Sequence, residues 1–239
     1  MRIDRRKLLL ASAVLSLGCC TAQASRTARA STMKHIVLVG DSIFDNAAYV
    51  GNGPDVIHQL RAILPAGAKG TLNAVDGAVI SEIDAQLARM PDGATHLVIS
   101  VGGNDALGAA GVLEEPARSV AEALSKLMEV RDHFQREYRT MLDEVQSKRL
   151  ITAICTIYEA RFPDPLSRRV AAAALTLLND CITREAFARD LALIDLRLIC
   201  DNDEDFANPI EPSVRGGEKI ARAIARFASE AAQPQVIAR

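Results

Sequence analysis

The feature that most limits the fold is a set of short apolar runs, each stopping abruptly at small or polar residues. Ile36-Val37-Leu38-Val39 runs into Gly40-Asp41-Ser42, and Leu97-Val98-Ile99-Ser100-Val101 runs into Gly102-Gly103-Asn104-Asp105. Runs this short and this continuously apolar suit strands that are covered on both faces. The strand candidates are His35–Asp41, Gly70–Val75, His96–Gly102, Leu150–Tyr158 and Leu191–Ile199. Between them lie segments of helical period, Pro54–Leu64, Ile80–Met90, Pro116–Gln146 and Leu166–Arg189. In the third, Val120, Leu124, Leu127, Phe134, Tyr138, Met141 and Val145 recur at helical steps and form one apolar stripe, long enough for two helices with a bend. Ser213 is placed to cap a last helix whose inward face is Ile220, Ile224 and Phe227. Alternation of strand and helix without a repeat or linker predicts an α/β protein. The expected form is a single three-layer αβα sandwich on a five-stranded parallel sheet, flavodoxin-like in layout.

A chain of 239 residues has room for one such domain and an upstream segment. The expected division is 1–32 upstream, 33–232 the domain and 233–239 a tail. Arg2, Arg5, Arg6 and Lys7 precede a short apolar core from Leu8 to Cys20, and Ala22-Gln23-Ala24 makes a cleavage site. This is the pattern of a signal peptide, with Arg5-Arg6 compatible with twin-arginine export. It implies a periplasmic or secreted protein. The alternative is a wrongly included extension with translation starting at Met33, which implies a cytoplasmic one. The net charge is −2 with both signs scattered, so no basic stripe invites nucleic acid. No apolar stretch reaches the roughly 18 residues that span a bilayer. Past the leader, Cys155, Cys181 and Cys200 remain, an odd count that gives no disulfide framework. Cys155 and Cys181 read as packed thiols, which favours a reducing compartment. The acidic run 201–205 reads as a solvated loop. It has no histidine and lacks the ligand spacing of a calcium loop, so no metal is expected.

In an open α/β sheet, ligands bind beyond the carboxyl ends of the strands. Ser42 follows the first strand candidate, Asp76-Gly77 the second, Asn104 the third, and Glu211 lies between the fifth and the last helix. All four therefore converge on one edge. Each also has a plainer reading. Ser42 could cap a helix, Asn104-Asp105 could form an Asx-turn, and Gly77 could serve only its turn. Asp41 and Asp105 read as carboxylates that fix loops or tune the site. Glu211 could simply favour the positive end of the last helix.

Taken together, these segments resemble the SGNH/GDSL hydrolase family from about Met33 to Phe227. Gly40-Asp41-Ser42-Ile43-Phe44-Asp45 is similar to its first block, Gly77 stands where the second block has its glycine, and Gly102-Gly103-Asn104-Asp105 matches the third. Pro212-Ser213, Gly216 and Ile220-Ala221 match the positions just after the family's catalytic histidine. The resemblance implies an ester hydrolase acting on small acyl esters without a cofactor. Ser42 would be the nucleophile, and the N–H groups of Ser42 and Gly77 with the amide of Asn104 would hold the oxyanion. Preorganised donors of this kind are each worth about 3–4 kcal/mol of transition-state stabilisation.

The fifth block departs from the family pattern Asp-x-x-His. The chain has Asn208-Pro209-Ile210-Glu211 there, so both the base and its orienting carboxylate are changed. A carboxylate is a poor base for a serine unless burial raises its pKa. His35 and His96 begin strands and belong at the opposite edge, while His58 and His133 lie inside helices. None is expected to stand in. The expectation is therefore catalysis with Glu211 as base or water-orienter. A binding module that keeps the pocket without turnover is the second reading, and a flavin or nucleotide binder of the same architecture is disfavoured by Asp41 in the first turn.

Overall fold

A computed structural model describes residues 33–230 and 236–238 of the chain. The strands are β1 (His35–Gly40), β2 (Lys69–Leu72), β3 (His96–Ser100), β4 (Ile151–Cys155), β5 (Ala192–Ile194) and β6 (Val236–Ile237). They form one parallel sheet in the order β2-β1-β3-β4-β5-β6. The α/β sandwich is as expected, with one strand more. Val236–Ile237, in the segment read as a tail, extends the sheet by pairing with Leu193 and Ile194. The leader expected within 1–32 lies outside the described residues.

Successive residues of a strand face opposite layers, and the core divides accordingly. Ile36, Leu38 and Val98 face a layer that contains α1 (Val56–Ile63) and the last helix. Val37, Val39, Leu97, Ile99 and Ile154 face the other. That second layer holds α2 (Ile83–Leu87), the short α3 (Gly103–Gly108) leads towards it, and α4 (Val120–Ser147) and α5 (Pro165–Ala188) complete it. A one-turn α6 (Leu196–Ile199) and α7 (Val214–Ser229) complete the first layer. Ser213 caps α7 by accepting a hydrogen bond from the Gly216 N–H at 3.2 Å, as its place in the sequence predicts.

Several expected elements are shorter or different in kind. Leu191–Ile199 is a three-residue strand followed by α6, because Asp195 accepts a hydrogen bond from the Arg197 N–H and starts a helical turn there. Ile80–Met90 begins as a 3-10 turn before α2. The acidic run is not a solvated loop throughout. Asp205 is fully buried, 2.7 Å from Lys219 and accepting from the Asn202 N–H at 3.0 Å.

The long segment is one helix of 28 residues. It is about 42 Å long at 1.5 Å per residue. The five-residue strands beside it extend only about 17 Å. The apolar stripe read from sequence is buried where the sheet lies beneath it, from Phe134 to Val145, and not before. Val120 is 78% exposed and Leu124 is also exposed. In α5 the buried residues likewise begin only at Leu178. The first halves of both helices overhang the carboxyl edge of the sheet.

The order of strands reverses at β1, which has β2 on one side and β3 on the other. A crevice at such a switch point is the usual ligand site of these sheets. The turn out of β1 requires Gly40. Its φ is +139°, and a Cβ there would lie 1.8 Å from the Ser100 carbonyl oxygen. Gly40→Ala should cost on the order of 3 kcal/mol or more. A drop of that size in urea unfolding free energy, or loss of soluble protein, is the expected result.

Candidate active site

The loop after β1 is fixed by its own first carboxylate. The Ile43 N–H donates to Asp41 Oδ1 at 3.1 Å, and the Phe44 and Asp45 N–H groups donate to the Asp41 carbonyl at 3.1 Å each. Ser42 is presented in this turn and caps no helix. Its Oγ donates to Glu211 Oε1 at 3.0 Å, across 169 residues of sequence. Both side chains are buried, Ser42 being 6% exposed and Glu211 4%. Glu211 Oε2 has no hydrogen-bond partner among the described residues.

The turn that carries Glu211 is held at four successive carbonyls. The Arg161 N–H donates to the Pro209 oxygen at 2.7 Å, Tyr158 OH to Ile210 at 2.6 Å, the Ala207 N–H to Glu211 at 2.8 Å, and Asn46 Nδ2 to Pro212 at 3.1 Å. Asn208, which stands where the family pattern has a carboxylate, does not bond the Glu211 carboxylate through its side chain. Its Oδ1 accepts from the Ile210 and Glu211 N–H groups, both at 2.9 Å, and closes the turn.

Asn104 lies in the first turn of α3 and donates through Nδ2 to the Ala78 carbonyl at 3.0 Å. That bond ties the loop after β3 to the loop after β2, which contains Gly77. Gly77 has φ +79°, in the left-handed region, and a Cβ there would meet nothing within 4 Å. Ser42, Asn104, Asp41 and Glu211 line one cavity of about 570 Å³. Gly77 and Asp105 are not among the residues that line it. Asp105 accepts from the Ile80 N–H at 3.2 and 3.3 Å, the loop-fixing role open to it from sequence.

Sequence reading missed the amides that hold the loops. Gln86 accepts from the Gly40 N–H and donates to the Gly40 carbonyl, both at 2.8 Å. Asn179 does the same for Ile157, also at 2.8 Å twice. The only available signal is a polar residue on an otherwise inward helix face. No histidine is hydrogen-bonded to Ser42 among the described residues. His35 bonds to Thr71, His58 to Asp55 and His96 to Thr95.

Burial dominates the electrostatics. Desolvation pushes the Glu211 carboxyl above its ordinary value; the Ser42 hydroxyl opposes this, and the charge of Asp76 adds to it. Desolvation also pushes Asp41 up to about 8, against the Ile43 N–H, with the Glu211 and Asp105 charges raising it further. A site of this kind can accept a proton from a serine hydroxyl onto a carboxylate of increased basicity. No group of three or more His, Cys, Asp or Glu among the described residues could hold a metal.

The parallel sheet and the crevice at its switch point define an α/β domain with a site at the carboxyl edge, and comparison with known proteins gives its family. Residues 38–219 match the GDSL-like lipase/acylhydrolase family, and the chain belongs to it. The extracellular lipase of Streptomyces rimosus is similar in structure, with a TM-score of 0.62 at 17% identity, covering 82% of this chain and all of that one. The lipase Lip_vut3 from a goat rumen metagenome gives 0.65 at 20% identity, over 84% of this chain and all of that one. The acetyl xylan esterase AlAXEase gives 0.58 at 16% identity, over 82% and 100%. At these identities the likeness is one of fold. No curated protein sequence matches the chain.

The raised Asp41 carries a stability consequence with a definite sign. The folded protein keeps this proton from the ordinary value of 3.8 up to about 8, whereas the unfolded chain loses it near 3.8. Stability contributed by the group is therefore full below 3.8 and falls as pH rises through that window. Asp41→Asn, which cannot titrate, should flatten this part of the profile. The check is urea unfolding of both proteins at pH 5 and pH 8; an unchanged difference between the two pH values would exclude the assignment.

Proposed function

We propose that the chain hydrolyses a carboxylic ester by covalent catalysis at Ser42, with Glu211 as base. The single observation that carries this is the 3.0 Å hydrogen bond from Ser42 Oγ to a buried carboxylate at the switch-point crevice. Family membership supports hydrolysis of an acyl bond.

In the proposed reaction Ser42 Oγ attacks the acyl carbonyl while its proton passes to Glu211 Oε1. Charge on the tetrahedral oxygen is stabilised by the N–H groups of Ser42 and Gly77 and by the Asn104 amide. Collapse breaks the bond to the alcohol oxygen, which takes the proton from Glu211. The acyl-serine is then attacked by water, whose proton also goes to Glu211, and the acid leaves as Ser42 recovers its hydrogen. The raised pKa of Glu211 narrows the gap between base and nucleophile, which makes a carboxylate serviceable where a histidine is usual.

Ser42→Ala should lower kcat/KM for p-nitrophenyl acetate by about 10³-fold or more. Equal rates would remove Ser42 from the mechanism. Glu211→Gln should lower kcat by about 10²–10⁴-fold with the fold retained. In the wild type the rate should fall as pH drops through the Glu211 pKa, above the 4.5 of an ordinary glutamate. The Glu211→His variant should move that acidic limb towards about 6.5.

A binding module without turnover is the second reading, favoured by one observation: Asn208 bonds backbone N–H groups and supplies no charge behind the base. A silent wild type, activated by Asn208→Asp combined with Glu211→His, would support it.

A further inference from the structure

The cavity that holds Ser42 is much larger than a small acyl group needs. It runs from Ser42 and Glu211 outward between the overhanging halves of α4 and α5, above the 3-10 segment Ala110–Glu114 that follows α3. Leu127 and Val130 of α4 and Ala171, Ala174 and Leu175 of α5 line it and are only half-buried, although apolar. Among the described residues, the charged side chains on its wall are Asp41 and Glu211 at the reacting end and Glu114 further out, with no lysine or arginine.

We propose that this overhang is the acyl-binding site of an ester with an unbranched chain of medium to long length, not of an acetyl-sized one. The proposal rests on the ester-hydrolase reading for which end of the ligand reacts. Three observations point to this occupant. The wall is apolar and leaves surface that an apolar ligand would remove from water. The cavity is continuous with the reacting hydroxyl, so a chain lying in it has its carbonyl end at Ser42. A wall without basic groups among the described residues disfavours a phosphate or carboxylate there. Counting about 30 Å³ per heavy atom, as for liquid water, half of the cavity holds on the order of ten chain atoms. Ala171 and Ala174, about one helical turn apart on α5, put small side chains on this wall. The sequence-based expectation of a small acyl group is enlarged accordingly.

Each methylene buried in such a site is worth about fourfold in affinity or in kcat/KM. For p-nitrophenyl acetate, butyrate and octanoate, kcat/KM should therefore rise at least tenfold from the first to the last. Ala174→Phe, which fills the cavity, should lower the octanoate-to-acetate ratio at least tenfold. Ala110→Trp, at an exposed position on the rim, should lower the same ratio in a variant whose folding is not at issue; thermal unfolding reports on both proteins. Independently of turnover, the neutral chain 1-decanol should bind Ser42→Ala in titration calorimetry, and Ala174→Phe introduced into that protein should abolish the binding. A flat or falling chain-length series, with no 1-decanol binding, overturns the proposal even if acetate is cleaved. Binding of 1-decanol that Ala174→Phe removes, with no ester of any length cleaved, upholds the acyl site and sinks the hydrolase reading instead.

Discussion

A carboxylate that is buried must be held, and most of the site depends on how Glu211 is held. Water would otherwise solvate it, and the loss of that solvation is what raises its basicity. Confinement comes from the turn around it, in which four successive carbonyls each accept a hydrogen bond, two of them from the loop that contains Tyr158 and Arg161. Asn46 is one of those donors and also accepts from the Val56 N–H at 3.0 Å, so the serine loop, α1 and the Glu211 turn are fastened through one amide. The Ser42–Glu211 contact is then a consequence of backbone geometry on both sides.

Sheet and helices differ in reach, and that difference produces the rest of the site. The strands end where the chemistry begins, as parallel sheets require. The helices on one face continue past them, because a segment of 28 residues cannot be matched by a strand of five. Overhanging turns have no sheet to cover, so their apolar side chains either meet solvent or meet a ligand. Val120 and Leu124 meet solvent, while Leu127, Val130, Leu166 and Ala174 border the cavity.

The layered α/β arrangement was legible because apolar runs that stop abruptly have few other uses. The meeting of Ser42, Asn104 and Glu211 was legible for a topological reason: strand ends in a parallel sheet share an edge, whatever the distance along the chain. Other features depended on partners that no local pattern announces. The apolar stripe of α4 has one period from Val120 to Val145, and nothing in that period marks where the sheet below it stops. Gln86 and Asn179 look like ordinary polar interruptions until each is seen bonded twice to the backbone of one residue, Gly40 at the end of β1 and Ile157 in the loop after β4. Asp205 stands in an acidic run whose other members face water, and its burial depends on Lys219, 14 residues away. The sixth strand is only two residues long, too short to carry a pattern.

The segment from Ile157 to Phe162 has two duties. Its side chains form part of the cavity wall, and Tyr158 and Arg161 within it hold the carbonyls of Ile210 and Pro209. Any change there that widens or narrows the wall also shifts the position of the carboxylate. Residues on α4 and α5 carry no such double load. Divergence in ligand preference among descendants of this chain has an open route through the two helices, whereas the connecting loop is constrained to change slowly or in concert with the turn it grips.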